Sequence, residues 1–445
     1  MAPPRNILVL GGGIAGIAAA LALSKELSPK VPGLRITIFE LHHVPSTSGG
    51  AINLNPAAQR HLNHLGVLKE LDRMGADGGV EVKEVELFSI HSGRRLGRVD
   101  FSGKDGRGYG GYKARRVMRI SLHLALLAAA EKASNIDVQF GKKVIDGIES
   151  GQTVTIFFED GSHAVGDLAL GCDGVHSPTR MRLVDPSTLS EYTGVCFIQT
   201  TIKTSQIAAP VHFETTAMNR ARHGGLLTTY YHSTKEDIFV AALAEVDAAE
   251  ISSESSSPRY RSSTTRHRRT TSERLRDEVC GRFGDCAIPC VREIIEKSTN
   301  WALYPVYQLP PDRKWYTERT LLLGDAAHAM PPRDESAAYA LDDAILFSRV
   351  LSLYIYQPIR EAFGVYESMR RSSVTKAYNS SNVTWAANKG SGRWTNRLEE
   401  CLTPWQLYKD RKARIGAWEF DASTLHIPPP PRPPCQPSLC SLGHR

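Results

Sequence analysis

Nowhere does the 445-residue sequence hold an uninterrupted apolar stretch long enough to cross a bilayer. The longest candidate, residues 7–23, is broken by glycines and ends without interfacial anchors, so no transmembrane segment is expected. The opening MAPPRNILVLGGG lacks a basic region ahead of an apolar core and cleavage site, so it reads as the entry to a strand and not as a secretory leader. Cysteine follows no disulfide framework: Cys172, Cys196, Cys280, Cys286, Cys290, Cys401, Cys435 and Cys440 are scattered, which fits a reduced, cytoplasmic setting. Cys280, Cys286 and Cys290 lie closest together, yet their spacing matches no common zinc pattern, and no metal is expected. A large excess of one charge is also missing. The formal net charge of +7 comes largely from one segment, which argues against nucleic acid while leaving a mild field suited to an anionic dinucleotide.

What is present is the composition of an ordinary globular protein, in a chain long enough for two domains plus extensions. Residues 6–10 (NILVL) read as a strand, 17–27 as an alanine-rich helix and 34–40 (LRITIFE) as a second strand. Between the first two lies GGGIAG, with Gly11, Gly13 and Gly16 in GxGxxG register and the acidic Glu40 closing the unit. The first glycine permits a tight turn, the second lets backbone amides approach a pyrophosphate, and the third lets helix and strand pack closely. Glu40 is placed to accept from ribose hydroxyls. Pro56 begins a helix, and His42, His43, His61 and His64 read as solvated surface residues because no carboxylate or cysteine accompanies them at ligand spacing.

Residues 80–101 alternate polar and apolar, the pattern of half-exposed strands in a second sheet. Residues 115–130 are expected to be helical, with Arg119 at the entrance, and 137–140, 143–148 and 153–159 to be hairpin strands. GDLALGCDGVHSPTR, residues 166–180, is a second strand-to-helix crossing that presents Asp173 and Gly174 at a strand's carboxyl end. Residues 191–213 and 224–243 are rich in β-branched and aromatic residues and are expected to floor a substrate chamber. Residues 251–276 carry serine, threonine and arginine with almost no apolar side chains, which predicts a disordered surface insertion. A third crossing, LLLGDAAHAMPPRDESAAYALDDA at 321–344, sets Asp325 at the end of a buried strand, as a ligand for a hydroxyl or as a cap for the next helix. The C-terminal segment is proline-rich and expected to be extended.

GGGIAG with Glu40, GDLALGCDGVHSPTR and LLLGDAAHAMPP, in that order, resemble the class A FAD-dependent aromatic monooxygenases of the p-hydroxybenzoate and salicylate hydroxylase type over roughly residues 5–375. The resemblance implies an α/β fold: a Rossmann-like FAD-binding domain of the GR2 type interleaved with a mostly antiparallel substrate sheet, followed by C-terminal helices. It divides the chain into FAD-binding parts at 1–78, 106–185 and 301–355, substrate-sheet parts at 79–105 and 186–300 (with the insertion at 251–276), a helical region at 356–420 and a proline-rich tail at 421–445. Gly11, Gly13, Gly16 and Glu40 would hold the ADP half of FAD, Ala51 would lie against the flavin, Arg119 would contact the cofactor, Asp173 and Gly174 would serve FAD and the reduced nicotinamide, and Asp325 would bind the ribityl chain. Ala337 and Ala338 align with the small residues after the loop beside the ring system. Where relatives carry G-Q-G in that loop, this chain has Arg333, Asp334, Glu335 and Ser336.

By the same resemblance, NADPH or NADH reduces FAD, O2 adds to give a C4a-hydroperoxide, and an electron-rich phenolic, aromatic or polyketide-like substrate takes one oxygen atom, as in secondary metabolism. Tyr230 falls where some fungal-type relatives place an active-site tyrosine, and it reads equally as sheet packing; Gln199 aligns where those relatives carry an arginine. A monomer or homodimer is expected, with a small-molecule substrate as partner. Epoxidation or dehydrogenation of an isoprenoid or alkaloid, and a degenerate flavoprotein without activity, stay open as alternatives. No W-x-W-x-I-P stretch is present, which disfavours halogenation.

Overall fold

The computed structural model describes residues 2–47, 49–222, 224–246, 271–331, 336–387 and 393–431. The chain begins with β1 (Asn6–Leu10), whose last four residues are buried as expected of a strand covered on both faces. Helix α1 (Ile14–Leu27) follows, and β2 (Arg35–Phe39) returns parallel to β1. Next come β3 (Ala51–Leu54), α2 (Pro56–His64), α3 (Val67–Arg73), β4 (Val80–Val82), β5 (Glu84–Ser89), β6 (Arg95–Asp100), β7 (Ala114–Met118) and α4 (Arg119–Ala130). After β8 (Ile136–Gln139) the chain forms a meander of β9 (Val144–Ser150), β10 (Thr153–Phe158) and β11 (His163–Gly166), then re-enters the first sheet as β12 (Leu168–Gly171).

Strands β13 (Glu191–Lys203), β14 (Thr216–Ala221), β15 (Gly224–Tyr230) and β16 (Asp237–Glu245) build the second large sheet, and α5 (Thr271–Phe283) and α6 (Pro289–Lys297) pack on one of its faces. β17 (Ala302–Gln308) completes that sheet and β18 (Thr320–Leu322) completes the first. The chain then runs through α7 (Asp325–His328), α8 (Ser336–Leu353), α9 (Ile359–Ala387), α10 (Arg393–Lys409) and α11 (Arg411–Glu419).

Two architectures are thus interleaved. The five-stranded parallel sheet runs β18-β12-β1-β2-β8, with α1, α4 and α8 against one face. On the other face, Leu8, Leu10 and Phe39 meet Val144, Ile156 and Phe158 of the meander. The seven-stranded sheet runs β17-β13-β16-β15-β14-β5-β6 and is antiparallel except where β14 pairs with β5. A small sheet, β3-β7-β4, joins the two. This is the α/β fold with an interleaved antiparallel sheet and C-terminal helices expected from the sequence. Among the described residues, no helix is long and apolar enough to cross a membrane.

Several local expectations are corrected. Residues 115–118 are strand, so α4 starts at Arg119 itself, and β4 pairs with β7 in the small sheet and not with β5. β8 is no hairpin strand: it lies parallel to β2 at the edge of the first sheet. His61 is fully buried. The disordered insertion falls largely outside the described residues, yet its last stretch is helical, because α5 begins at Thr271 and buries Leu275 beside Val279 and Phe283. These three residues recur at helical spacing, and the serine-rich context conceals it. Replacing Leu275 by Ala should therefore cost about 2–4 kcal/mol in urea unfolding; a loss under about 0.5 kcal/mol, the level of surface changes, would show that this turn contributes no core.

Candidate active site

Parallel strands direct their carboxyl ends the same way, so the turns after β1, β12 and β18 lie at one end of the sheet. Gly11 takes φ +107°, and a β-carbon there would stand 2.4 Å from the Cys172 carbonyl oxygen, so the first two turns touch only because residue 11 is glycine. A β-carbon on Gly16 would meet the Gly11 carbonyl oxygen at 1.9 Å, which sets how closely α1 lies on its strand. Gly13 differs. No atom lies within 4 Å of its β-carbon position, and it lines the cleft at the N-terminus of α1, whose first turn holds no acidic residue. This is an open cradle with backbone N–H groups and the positive helix end facing it.

Glu40, at the end of β2, accepts from the Gly12 N–H (2.8 Å) and the His42 N–H (2.9 Å) and lines the same cleft. His123 reaches in from α4, with Nε2 2.7 Å from the Gly12 carbonyl oxygen. A carbonyl only accepts, so Nε2 carries the proton, and the buried Nδ1 is left as an acceptor with no partner among the described residues. No sequence motif marks His123, although its position one helical turn beyond Arg119 puts it on the same helix face.

The second turn is held from within. The Asp173 carboxylate accepts from the Ser177 hydroxyl and from the Thr179 N–H (2.9 Å) and hydroxyl (2.7 Å). Burial pushes its pKa up, and these hydrogen bonds oppose the rise. The carboxylate thus serves the turn, and Gly174 presents backbone to the cleft at φ +80°. Arg180, buried just after, donates to the carbonyls of Val175 (2.8 Å) and Ala326 (3.0 Å) and so locks the second turn to the third.

At the third turn Asp325 is exposed, and no hydrogen bond reaches its carboxylate from the described residues. The capping alternative is not observed. The turn is held by a different carboxylate, the fully buried Asp343 of α8. Asp343 accepts from the Gly324 N–H (2.9 Å), His328 Nε2 (2.7 Å) and Arg370 Nε (2.6 Å). Burial alone would raise its pKa, but His328 and Arg370 outweigh burial and hold it below the ordinary carboxylate range. Arg370 also lies 3.2 Å from Asp342 Oδ2, and Asp342 Oδ1 lies 3.1 Å from His61 Nδ1, out of line for a hydrogen bond. The Ala422 N–H donates to His61 Nε2 (3.2 Å), which puts the His61 proton on Nδ1, facing Asp342. His61, expected at the surface, is therefore a buried link between α2, α8 and the C-terminal segment.

Arg119 lines both this cleft and an inner cavity. One side of the cavity is built by Ala51, Ile52, Asn53, Asp325 and Ala337, the other by Phe197, Gln199, Leu227 and Phe239 of the seven-stranded sheet, with Tyr304 and Tyr307 from β17. The structure thus gathers Gly11, Gly13, Glu40, Arg119, Asp173 and Gly174 in the cleft, and Ala51, Arg119, Asp325 and Gln199 at the cavity. Two expected site residues are displaced. Leu227 faces the cavity, so Tyr230, three positions on in the same strand, points to the opposite face, where it packs on Phe213 with ring centroids 5.3 Å apart. Ala338 lies in the core, and its neighbour Ala337 lines the cavity. Of the unusual loop, residues 333–335 lie outside the described residues.

The open turn at Gly13, the acidic Glu40 at the end of β2 and the unengaged Asp325 beside an inner cavity now stand in a cleft and a cavity joined at Arg119, and residues 5–378 match the model of the FAD binding domain. The chain belongs to that family. It is similar to the 3-hydroxybenzoate 6-hydroxylase of Klebsiella oxytoca, at 24% identity over 83% of this chain and 85% of the relative. It is similar also to the 6-hydroxynicotinate 3-monooxygenase of Bordetella bronchiseptica, at 25% identity over 88% and 94%. In fold it resembles HpxO of Klebsiella pneumoniae complexed with FAD and uric acid, with a TM-score of 0.72 at 21% identity over 93% and 95% of the two chains. It is a class A FAD-dependent monooxygenase. The groove fits FAD on its own terms: the Gly13 cradle suits a pyrophosphate, and the exposed Asp325 suits a hydroxyl chain.

Two outcomes follow for this FAD enzyme. Asp325→Ala should weaken FAD binding by about tenfold or more, as loss of a hydrogen bond to a charged group does, and leave the thermal midpoint of the apoprotein unchanged; equal FAD affinity by fluorescence titration would refute the contact. Asp343→Asn should cost about 3–5 kcal/mol, the effect of breaking a buried ion pair. Because the folded-state pKa of Asp343 lies below 3.8, its contribution is complete above that pH and is lost as pH falls toward the lower value. The stability gap between wild type and variant should therefore narrow below pH 3.8, and a gap independent of pH would count against the pairing.

Proposed function

We propose that the enzyme uses NAD(P)H and O2 to hydroxylate a phenolic or otherwise electron-rich aromatic small molecule held in the inner cavity. The observation that carries this reading is the asymmetry of that cavity. Its FAD-domain side presents Arg119, Asp325 and the backbone around Ala51, whereas its sheet side is aromatic and aliphatic with one carboxamide, Gln199. A flat ring gains from such a wall by burial and edge contacts, and a single amide fixes which way its hydroxyl points. The relatives named for 3-hydroxybenzoate and 6-hydroxynicotinate also support a hydroxylated aromatic ring.

When bound, FAD supplies the reducible ring system at which oxygen is activated. The chain's own part is to hold and to shield. The Gly13 cradle would receive the pyrophosphate, Glu40 the ribose, Asp325 the ribityl hydroxyls, and Arg119 the passage between cleft and cavity. Phe197, Leu227 and Phe239 would exclude water from the reacting face. Gln199, able to donate and to accept, would orient the substrate hydroxyl.

Substrate-stimulated NAD(P)H oxidation, with one atom of labelled O2 entering the product, is the decisive measurement; product formed without oxygen would overturn the proposal. Gln199→Leu should raise KM about tenfold with FAD affinity unchanged, the loss of one buried hydrogen bond. Tyr230→Phe should leave kcat and KM within about twofold, because that hydroxyl lies on the far side of the sheet; a hundredfold loss, of the size general acid–base catalysis supplies, would return Tyr230 to the chemistry.

A further inference from the structure

Asn53 lines the inner cavity and is only 5% exposed, yet its Oδ1 has no hydrogen-bond partner among the described residues. A buried acceptor left unmatched is a net cost to folding, and such groups occur where a ligand completes the pairing. The position of Asn53 narrows what that ligand group is. It sits on β3 two residues beyond Ala51, so both side chains leave the same face of the strand. Arg119 marks the part of the cavity that opens to the cleft, and Gln199, Leu227 and Phe239 mark the substrate sheet. Asn53 lies on the side of the cavity opposite that sheet: it pairs across strands with Arg116 of β7, and Ala337, in the first turn of the 18-residue helix α8, lines the same cavity. The positive end of that helix favours an electron-rich carbonyl at the same wall.

We infer that Asn53 recognises the imide edge of the flavin ring. A carboxamide places one acceptor beside one donor, and an imide places an N–H donor between two carbonyl acceptors, so the two edges match through a pair of hydrogen bonds. The match holds whichever way the amide plane is turned, because the imide has a carbonyl on each side of its N–H. A substrate hydroxyl would engage one of the two groups of this side chain, whereas the imide edge engages both. The inference rests on the FAD reading above and assigns the far end of the ring system to a residue that neither the glycine turn nor the Asp325 turn supplies.

The test is a cycle of two changes, read by quenching of flavin fluorescence on the apoprotein. Asn53→Leu keeps the volume and removes both hydrogen-bonding groups; N3-methyl-FAD keeps the cofactor and removes its imide proton. Each change alone should weaken binding about tenfold, and the variant should bind FAD and N3-methyl-FAD equally. The apo variant should be at least as stable as wild type, since the orphaned oxygen is gone. Wild-type protein that binds both flavins equally overturns the inference without any variant. A variant with full FAD affinity and a raised substrate KM also overturns it and moves Asn53 to the substrate. Wild-type protein that takes up no FAD fails differently, because it removes the cofactor reading itself.

Discussion

Asp343 is a fully buried carboxylate met by three donors from three places: the Gly324 backbone, the His328 ring and the Arg370 guanidinium. Its burial carries a desolvation penalty that only complete pairing offsets, so the four partners hold one arrangement or none. That arrangement is what presents Asp325. Gly324 and His328 bracket the short helix that begins with Asp325, and both are tied to the same carboxylate group, so the exposed acid is aimed by a buried one. Arg180 then carries the position across to the second turn through the Val175 and Ala326 carbonyls. The cleft's geometry is thereby fixed from beneath, and its surface carboxylates stay available.

The same logic divides the acidic residues by duty. Asp173 and Asp343 use their oxygens on protein donors and hold turns. Glu40 spans the Gly12 and His42 amides and still borders the cleft. Asp325 alone of these four carries no hydrogen bond from the described residues, which is the state expected of a ligand-binding group before its ligand arrives.

How much of this was legible in the sequence follows from the range of each interaction. The three crossings were readable because a strand, a glycine turn and a helix start are local chemistry, and their order along the chain narrowed the fold further. His61 was misread because its partners, Asp342 and the Ala422 amide, lie far along the chain, and no spacing rule reaches them. Tyr230 stayed open between active site and sheet packing because of phase: a strand's alternation is visible in sequence, but which face is covered is decided by what packs there, here α5 and α6. Ala338 missed by a single position for the related reason that one helical step turns a side chain from the cavity wall into the core. Asn53 carried no motif at all. Its significance lies in a missing partner, which is a property of three-dimensional enclosure.

The parallel sheet has its central strand at residues 6–10 and its last at 320–322, and the clamp on that last strand's turn is closed by Arg370. For a chain made from its N-terminus, the glycine turn is therefore among the earliest products and waits through the synthesis of the whole seven-stranded sheet for the third turn of its own sheet. The third turn is thus set late in the birth of the molecule, after the strands of the seven-stranded sheet have been made. A ribosome halted before Arg370 would release a chain whose glycine turn is made and whose third turn has no clamp.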